Sequence, residues 1–367
     1  MKVPQFAPYI GEEEYAAIKS CFTDNWITEG PKAKEFNSML CKLIGVKYGV
    51  FAPNGTLSIY LGLRAMGICS GDEVLVPDFT FIGSATAVEM AGATPVFVDV
   101  NKHNFQINSK ACKKKLSKKT KAVMPVHIYG MSANMDEVMS FASENNLMVI
   151  EDAAQAIGVS YKGKHCGSFG KVSSFSFFAD KTITTGEGGF VATNDKDVYE
   201  NLLYLRNQGR LNRGSFIHPK IGYNFRMTDI QIAVGIVQLN KLPIIKEKKL
   251  LILEKYKKAL AGIEQVAMIT LEDGSTYVPF RIALICEKAH ALMAFLEKNG
   301  VQSRSFFYPL HKQPCFQYLA AAQSLADKDF PHAVGGYDQG VCLPSFVSIS
   351  DEQINYVCGA IKEFYQA

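Results

Sequence analysis

The sequence has no cysteine pair at C-x-x-C spacing, no apolar run of 18 residues and no large excess of charge of either sign. Each absence closes off a class of protein. Nine scattered cysteines, an odd number, fit a reducing cytoplasm better than a disulfide framework, and no metal site is expected. The opening stretch, MKVPQFAPYIGEEEY, carries no apolar core of a secretory leader. With no long apolar run elsewhere, this argues against secretion and against a membrane span. The net charge is only +4, and the densest basic run, KKKLSKKTK at 113–121, reads as a solvated helix end before a strand, so no nucleic acid partner is expected. No G-x-G-x-x-G follows the first expected strand, which weighs against a nicotinamide-dependent oxidoreductase. Internal repeats, low-complexity tracts and flexible linkers are missing as well.

What is present is a chain of 367 residues, 48% apolar and 20% charged, enough for one large core and one smaller one. We expect a large α/β lobe over 1–240 and a smaller α+β lobe over 241–367. Amphipathic helices are expected at 12–23 and 32–45, separated by DNWITEGP with its single tryptophan, Trp26. Strand and helix then alternate: YGVFA, a helix after Asn54-Gly55-Thr56, EVLVP, the loop and helix DFTFIGSATAVEMAGA, PVFVDV, AVMPVHIYG, a helix over 134–145, and LMVIEDAAQAIG. Such alternation predicts a largely parallel sheet covered by helices, with ligands outside the carboxyl ends of its strands. A polar stretch, 207–220, precedes YNFRMTD, where Thr228 and Gln231 form a capping box. LPIIKEKKLLILEKYKKAL, 242–260, reads as a helix bridging into the second lobe. There, strands are expected near 278–286 and 301–305, and helices over 289–298 and 351–364.

Lys181 needs a reason for its place. The run Val172–Ala179 is a buried strand by its apolar content, Asp180 and Lys181 follow at once, and then come TITTGEGG and a second apolar strand, FVAT. A lysine where a buried strand ends at a glycine-lined cavity is open to desolvation, which favours the neutral, nucleophilic amine. An exposed loop lysine is the plainer alternative. Three further strand or helix ends fall on the same rim. Gly55 and Thr56 open a helix whose unpaired N–H groups suit a phosphate, although a plain N-cap looks the same. Phe79 and Phe81 form an aromatic loop. Asp152 ends a strand, where the bland reading is an N-cap for AAQAIG. In the second lobe the cluster RSFFYPLHKQP, 304–314, is either a substrate wall or a proline-ordered packing loop. A lysine for an aldehyde, an acid for a pyridine nitrogen, donors for a phosphate and a ring to stack are the parts that pyridoxal phosphate requires.

At these residues the chain resembles the DegT/DnrJ/EryC1/StrS sugar aminotransferases, pyridoxal-phosphate enzymes of the aspartate aminotransferase fold (fold type I). The resemblance runs from WITEGP through NGT, PDFTFIGSATAV, VHIYG, EDAAQAIG, SFSFFADKTITTGEGG and YNFRMTD to FFYPLHKQP and LPS. It implies a mostly parallel seven-stranded sheet in the large lobe, pyridoxal 5′-phosphate as cofactor, and Lys181 as the Schiff base lysine and proton shuttle. Asp152 would partner the pyridine nitrogen, Gln155 would donate to the ring hydroxyl and Phe81 would stack on the ring. Gly55, Thr56 and Ser176 would take the phosphate, with Asn224 reaching it from the neighbouring subunit of a homodimer with shared sites. Tyr308 and His311 fall where relatives contact the sugar nucleotide. Gln208, in RNQG, stands where many relatives carry histidine, which puts in doubt any substrate contact inferred for that loop.

FSFFADKTITTGEGG and RSFFYPLH are most similar to the GDP-perosamine synthases. The implied reaction moves the amino group of L-glutamate to GDP-4-keto-6-deoxymannose, in the biosynthesis of surface polysaccharide or O-antigen. The alternatives are a UDP- or dTDP-linked 4-keto or 3-keto sugar and, from another class, a regulatory protein that binds the cofactor without turnover. Relatives that act as dehydratases carry histidine at the lysine position, so Lys181 argues against that chemistry.

Overall fold

The computed structural model describes residues 1–211 and 216–366; part of the polar stretch expected at 207–220 thus lies outside the described residues. Its strands are β1 Tyr48–Ala52, β2 Glu73–Pro77, β3 Thr94–Val98, β4 Thr120–Val123, β5 Met148–Asp152, β6 Ser160–Tyr161, β7 Lys164–His165, β8 Val172–Ser176, β9 Gly189–Thr193, β10 Val266–Met268, β11 Ile282–Cys286, β12 Arg304–Ser305 and β13 Gly340–Leu343. Seven of them form one sheet in the order β1-β9-β8-β5-β4-β2-β3. The run from β8 to β3 is parallel, and β9 runs against both of its neighbours.

These strands read as unbroken apolar runs because both faces of the sheet are covered. Side chains alternate across the pleat. Val50 and Val191 face a core with Ile59, Leu63, Val198 and Leu202 of the helices Gly55–Ala65 and Lys196–Arg206. Phe51, Phe190 and Ala192 face the opposite core with Phe36, Leu40 and Ile44 of Pro31–Ile44 and with Ile232 and Leu239. β6 and β7 form a separate short hairpin.

Two sequence expectations are corrected here. No helix follows Asp152; residues 153–158 are turns, so Asp152 caps nothing helical. The bridging helix does not begin at Leu242 either. One helix of 32 residues runs from Asp229 to Leu260, opened by the expected Thr228/Gln231 capping box and continuous through Pro243. An interior proline costs about 3 kcal/mol through its missing N–H and its clash with the preceding turn. Burial on both sides of it outweighs that cost: Leu239, Leu242 and Ile245 lie in the first lobe's core, and Ile252, Leu253, Tyr256 and Leu260 in the second's. The boundary expected at 240/241 therefore falls inside a helix.

The second lobe is an antiparallel sheet, β10-β11-β13-β12, with the helices Ala289–Lys298 and Asp351–Gln366. β10 and β13 were not expected, because three or four residues beside glycine and polar neighbours show no period. Val3 pairs with Val301 and joins this core, so the first residues of the chain belong to the second lobe.

The lobes meet at Gly130. Its carbonyl accepts from Val278 N at 3.0 Å, and Phe280 N donates to the Tyr129 carbonyl at 3.2 Å. Gly130 has φ +87°, and a Cβ there would lie 1.9 Å from the Val278 carbonyl oxygen. Gly130→Ala should cost about 3 kcal/mol, from left-handed strain and backbone overlap together; thermal or urea unfolding that matches the parent protein would contradict this contact.

Candidate active site

A cavity of about 600 Å³ opens between the carboxyl ends of the parallel strands and the second lobe. On its first-lobe side, the helix Gly55–Ala65 presents its start. Asn54 Oδ1 caps it by accepting from Leu57 N at 3.0 Å, and the N–H groups of Gly55 and Thr56 are left for a ligand. Ser176 ends β8 directly beside them: a Cβ on Gly55 would come within 2.8 Å of the Ser176 Cβ. Gly83 is as tightly fitted, its Cβ position lying 2.7 Å from Thr56 Oγ1. Side chains are trimmed here so that backbone can approach whatever occupies the space.

Asp152 and Glu151 are neighbours on β5 and therefore face opposite ways. Glu151 is fully buried and takes backbone N–H groups of Gly167 (2.6 Å), Phe169 (2.8 Å) and Gly170 (2.6 Å), with His127 Nε2 at 3.0 Å. Burial alone would raise its carboxyl, but the His127 contact and the N–H groups of Gly170 and Gly167 outweigh it and hold the group below its ordinary range. Glu151 thus pins the strand end, and Asp152 lines the cavity, its Oδ2 accepting from Ser84 Oγ at 2.7 Å and its Oδ1 from Ala154 N at 3.1 Å. Gln155 also lines the cavity. Its Oε1 accepts from Tyr129 N at 2.7 Å, which sets its NH₂ as the group able to donate to a ligand.

Lys181 reaches the cavity and is partly exposed there. Burial pushes its pKa below the ordinary lysine value; Asp180 and then Asp152 pull the other way, and Arg281 adds to the lowering. The ring beside its Nζ, at 4.8 Å, is Phe280 of the second lobe. Phe175 and Phe177, which precede it in the chain, do not surround this lysine but are packed in the core on the far face of the sheet, and Phe178 is half-exposed at the cavity. Asp180 is ion-paired with Arg281, and Arg304 Nη1 approaches the same Oδ2 at 3.8 Å. Both arginines line the cavity wall opposite the helix start. Arg281 was not read from the sequence, where Asp180 beside Lys181 was the only local signal; Arg304 opens the cluster 304–314, of which a substrate wall was one of the two expected readings.

The other expected residues divide. Phe81 lies at the mouth, 60% exposed, where a ring is free to stack. Phe79 does not join it: it is buried against Phe105, Tyr129, Phe306 and Phe307. Asn224 lies outside this chain's cavity, exposed, its Oδ1 accepting from Arg226 Nε at 2.7 Å. Gln208 holds a left-handed turn (φ +58°), its N–H on the Tyr223 carbonyl.

Tyr308 and His311 do not line the cavity. Tyr308 packs edge-on against Tyr337. His311 is 5% exposed and stacked on Phe330, with Nδ1 2.7 Å from Asp78 Oδ2, Nε2 3.1 Å from Asp327 Oδ1, and its N–H on Asp78 Oδ1 at 2.8 Å. With both ring nitrogens taken by carboxylates, His311 is a latch that ties the loop after β12 to the end of β2, and the substrate contact expected of it is corrected to that. The neighbouring Phe307 is thereby held in the cavity wall.

The full-length match follows this geometry. Residues 8–362 fit the model of the DegT/DnrJ/EryC1/StrS aminotransferase family. The chain belongs to that family. It is 37% identical over 365 residues to the GDP-perosamine synthase of Escherichia coli O157:H7, covering 99% of this chain and 98% of the relative. It is 35% identical over 370 residues to that of Vibrio cholerae, covering 99% of each. Among solved structures it is similar to a putative sugar aminotransferase, Spr1654 of Streptococcus pneumoniae, in its PLP form, with a TM-score of 0.94, 25% identity and coverage of 100% of this chain and 99% of the other. The chain is thus a pyridoxal-phosphate-dependent sugar aminotransferase. The donor set fits the cofactor: an amine lowered in pKa, a carboxylate ending β5, an oriented carboxamide, and a helix start at Gly55 whose lack of a side chain lets it lie against Ser176.

The latch has a pH signature. Burial alone would lower the His311 pKa, but hydrogen bonds and charge from Asp78 and then Asp327 raise it above the ordinary value. A raised folded-state pKa means that the stabilisation is complete below about 6.5 and is lost as pH rises through the folded value. His311→Ala should therefore cost about 3 kcal/mol at pH 6, the penalty for breaking a buried pair, and less at pH 9; an equal loss at both would exclude a charged latch.

Proposed function

We propose that this aminotransferase moves the amino group of L-glutamate onto GDP-4-keto-6-deoxymannose, giving GDP-perosamine for a surface polysaccharide or O-antigen, in the cytoplasm. The two GDP-perosamine synthases that match over the full chain support that substrate. The observation that carries the reaction is a partly buried lysine amine, lowered in pKa, on the same cavity as Asp152 and the Gly55–Thr56 helix start.

Bound pyridoxal phosphate supplies an aldehyde that holds amines and a ring that accepts electrons from the carbon next to them. Lys181 holds the cofactor and, once released, takes the proton from the α-carbon of glutamate and delivers it, later running the reverse transfer on the sugar. It serves as a base only when neutral, which its burial favours. Asp152 keeps the ring nitrogen protonated, Gln155 donates to the ring hydroxyl, Phe81 covers the ring, and Gly55, Thr56 and Ser176 hold the phosphate. Asn224 serves the site of a neighbouring copy in a homodimer. Supporting this is the apolar surface ahead of it, where Phe216 is 89% and Ile221 82% exposed on the single chain.

Borohydride reduction of the holoenzyme should fix the cofactor on the peptide carrying Lys181, and Lys181→Ala should lower turnover by at least about 10³-fold; transfer that survives in this variant would sink the assignment. Glutamate offered with GDP-, UDP- and dTDP-linked keto sugars should give an amino sugar detectable by mass spectrometry, best from the GDP-4-keto sugar. Product from dTDP-3-keto sugars alone would replace the proposed substrate. A visible band that never changes with glutamate would favour the regulatory alternative. Light scattering should give a dimer, and Phe216→Glu combined with Ile221→Glu should weaken it.

A further inference from the structure

Among the described residues the cations that line the main cavity are Lys181, Arg281 and Arg304. Lys181 is given to the cofactor. Arg281 is buried and committed to Asp180, to which its Nη2 donates. Arg304 differs from both. Its side chain is 51% exposed, and its acidic neighbour, Asp180 Oδ2, lies 3.8 Å from its Nη1, beyond hydrogen-bond length. Its guanidinium makes no hydrogen bond among the described residues, so its N–H donors are open to whatever enters the cavity. What steadies it is a ring from the beginning of the chain: Phe6 lies 5.6 Å from the guanidinium carbon, within cation–π range. Backbone fixes that segment against the strand of Arg304. Val3 N donates to the Gly300 carbonyl at 2.9 Å, Gln302 N to the Val3 carbonyl at 2.9 Å, and Gln5 N to Gln302 Oε1 at 3.1 Å.

We propose that Arg304 is the seat of the amino donor's α-carboxylate, and that Phe6 is the residue that positions its guanidinium for that task. The proposal deepens the reaction given above and rests on it. An amino acid that gives up its amine at Lys181 carries a carboxylate on the same carbon that loses the proton, so an anion has to be accommodated next to the reacting centre. The acids of the lining, Asp152, Asp180 and Glu187, repel it. Arg281 already neutralises Asp180, which leaves the charge of Arg304 uncompensated. Asp180 also sets the place: it immediately precedes Lys181 in the chain, and the same carboxylate is the one that Arg304 approaches. A guanidinium takes a carboxylate through two parallel N–H···O bonds, a geometry that an ammonium does not offer. The charge of the sugar nucleotide lies elsewhere. In a 4-keto sugar the diphosphate is on C1, across the ring from the carbon that reacts, and the second carboxylate of glutamate is held off by two methylenes.

Titration of the holoenzyme with 2-methylglutamate, which has no α-proton, reads binding without turnover through the visible cofactor band; L-glutamate is titrated in parallel. Half-saturation should rise about 10- to 100-fold in Arg304→Gln, the range for losing a hydrogen bond to a charged group. It should rise less in Arg304→Lys, which keeps the charge without the paired donors, and about threefold in Phe6→Leu, which keeps the bulk and loses the ring face. In the other half-reaction, run from the pyridoxamine form, KM for the GDP-4-keto sugar should stay at the parent value in all three variants. Unchanged half-saturation in Arg304→Gln overturns the assignment. A rise confined to the sugar half does so as well, because the bound anion is then the diphosphate, and so does an equal rise in both halves, the mark of a cavity that has lost its shape. Weaker binding in Arg304→Gln with none in Phe6→Leu overturns the part given to Phe6. No band change with either amino acid in the parent protein overturns the amino donor itself, a failure distinct from that of Arg304.

Discussion

A lysine amine in a dry place is the constraint around which this molecule is arranged. An ammonium ion loses several kcal/mol of hydration on burial unless a carboxylate compensates it. Here the nearest carboxylate, Asp180, is already committed to Arg281. The pairing leaves Lys181 with a weak counter-charge on one side and the Phe280 ring on the other. A lysine so placed has its pKa lowered, which favours the free amine, the form that can bond to a carbonyl and carry a proton. Moving Asp180 into full contact with Lys181 would make a better ion pair and a worse catalyst.

That arrangement needs both lobes in register. Phe280 and Arg281 come from the segment that crosses to the first lobe at Gly130, where backbone meets backbone with no room for a side chain. Phe307 comes from the loop latched by His311 to Asp78 at the end of β2. The helix through Pro243 runs from one core to the other and joins the two walls from behind. The cavity is therefore rigid on three sides and open at Phe81, the side from which substrate must come.

Much of this was legible in the sequence wherever a function sits at the end of an element. Apolar runs bounded by turns gave the strands, and Asp152, Ser176 and the Asn54–Thr56 helix start are strand or helix ends whose position follows from topology, while Lys181 lies in the turns that follow β8, whose strand stops at Ser176 and not at Ala179. What stayed hidden comes from tertiary contact. Nothing in PFRIAL marks Phe280 and Arg281 as cavity wall, because their partners lie far back in the chain. Pro243 read as a boundary because local propensity opposes a helix there, and only burial on both flanks overrides it. His311 was expected as a substrate contact because it falls where relatives contact the sugar nucleotide; the two carboxylates that occupy it lie on β2's end and on a later turn. Phe79 and Phe81 are two residues apart, and the turn after β2 sends one ring into the core and leaves the other at the mouth.

The same geometry separates what the family shares from what the substrate decides. The helix start at Gly55 and Thr56, the Asp152 carboxylate and the Lys181 amine fill one end of a cavity of about 600 Å³. A cofactor held at that end would leave the space under Phe81, Phe307 and Arg304 for the sugar. Recognition of the reacting carbon then falls to the walls near Lys181, and that of the rest of the substrate to surfaces at the mouth. Two enzymes could hence keep every residue of the rim and differ in nucleotide. Identity of 35–37% along the whole chain to GDP-perosamine synthases speaks to the family and not to one sugar nucleotide, because a single side chain that pairs or clashes at the mouth is enough to redirect binding.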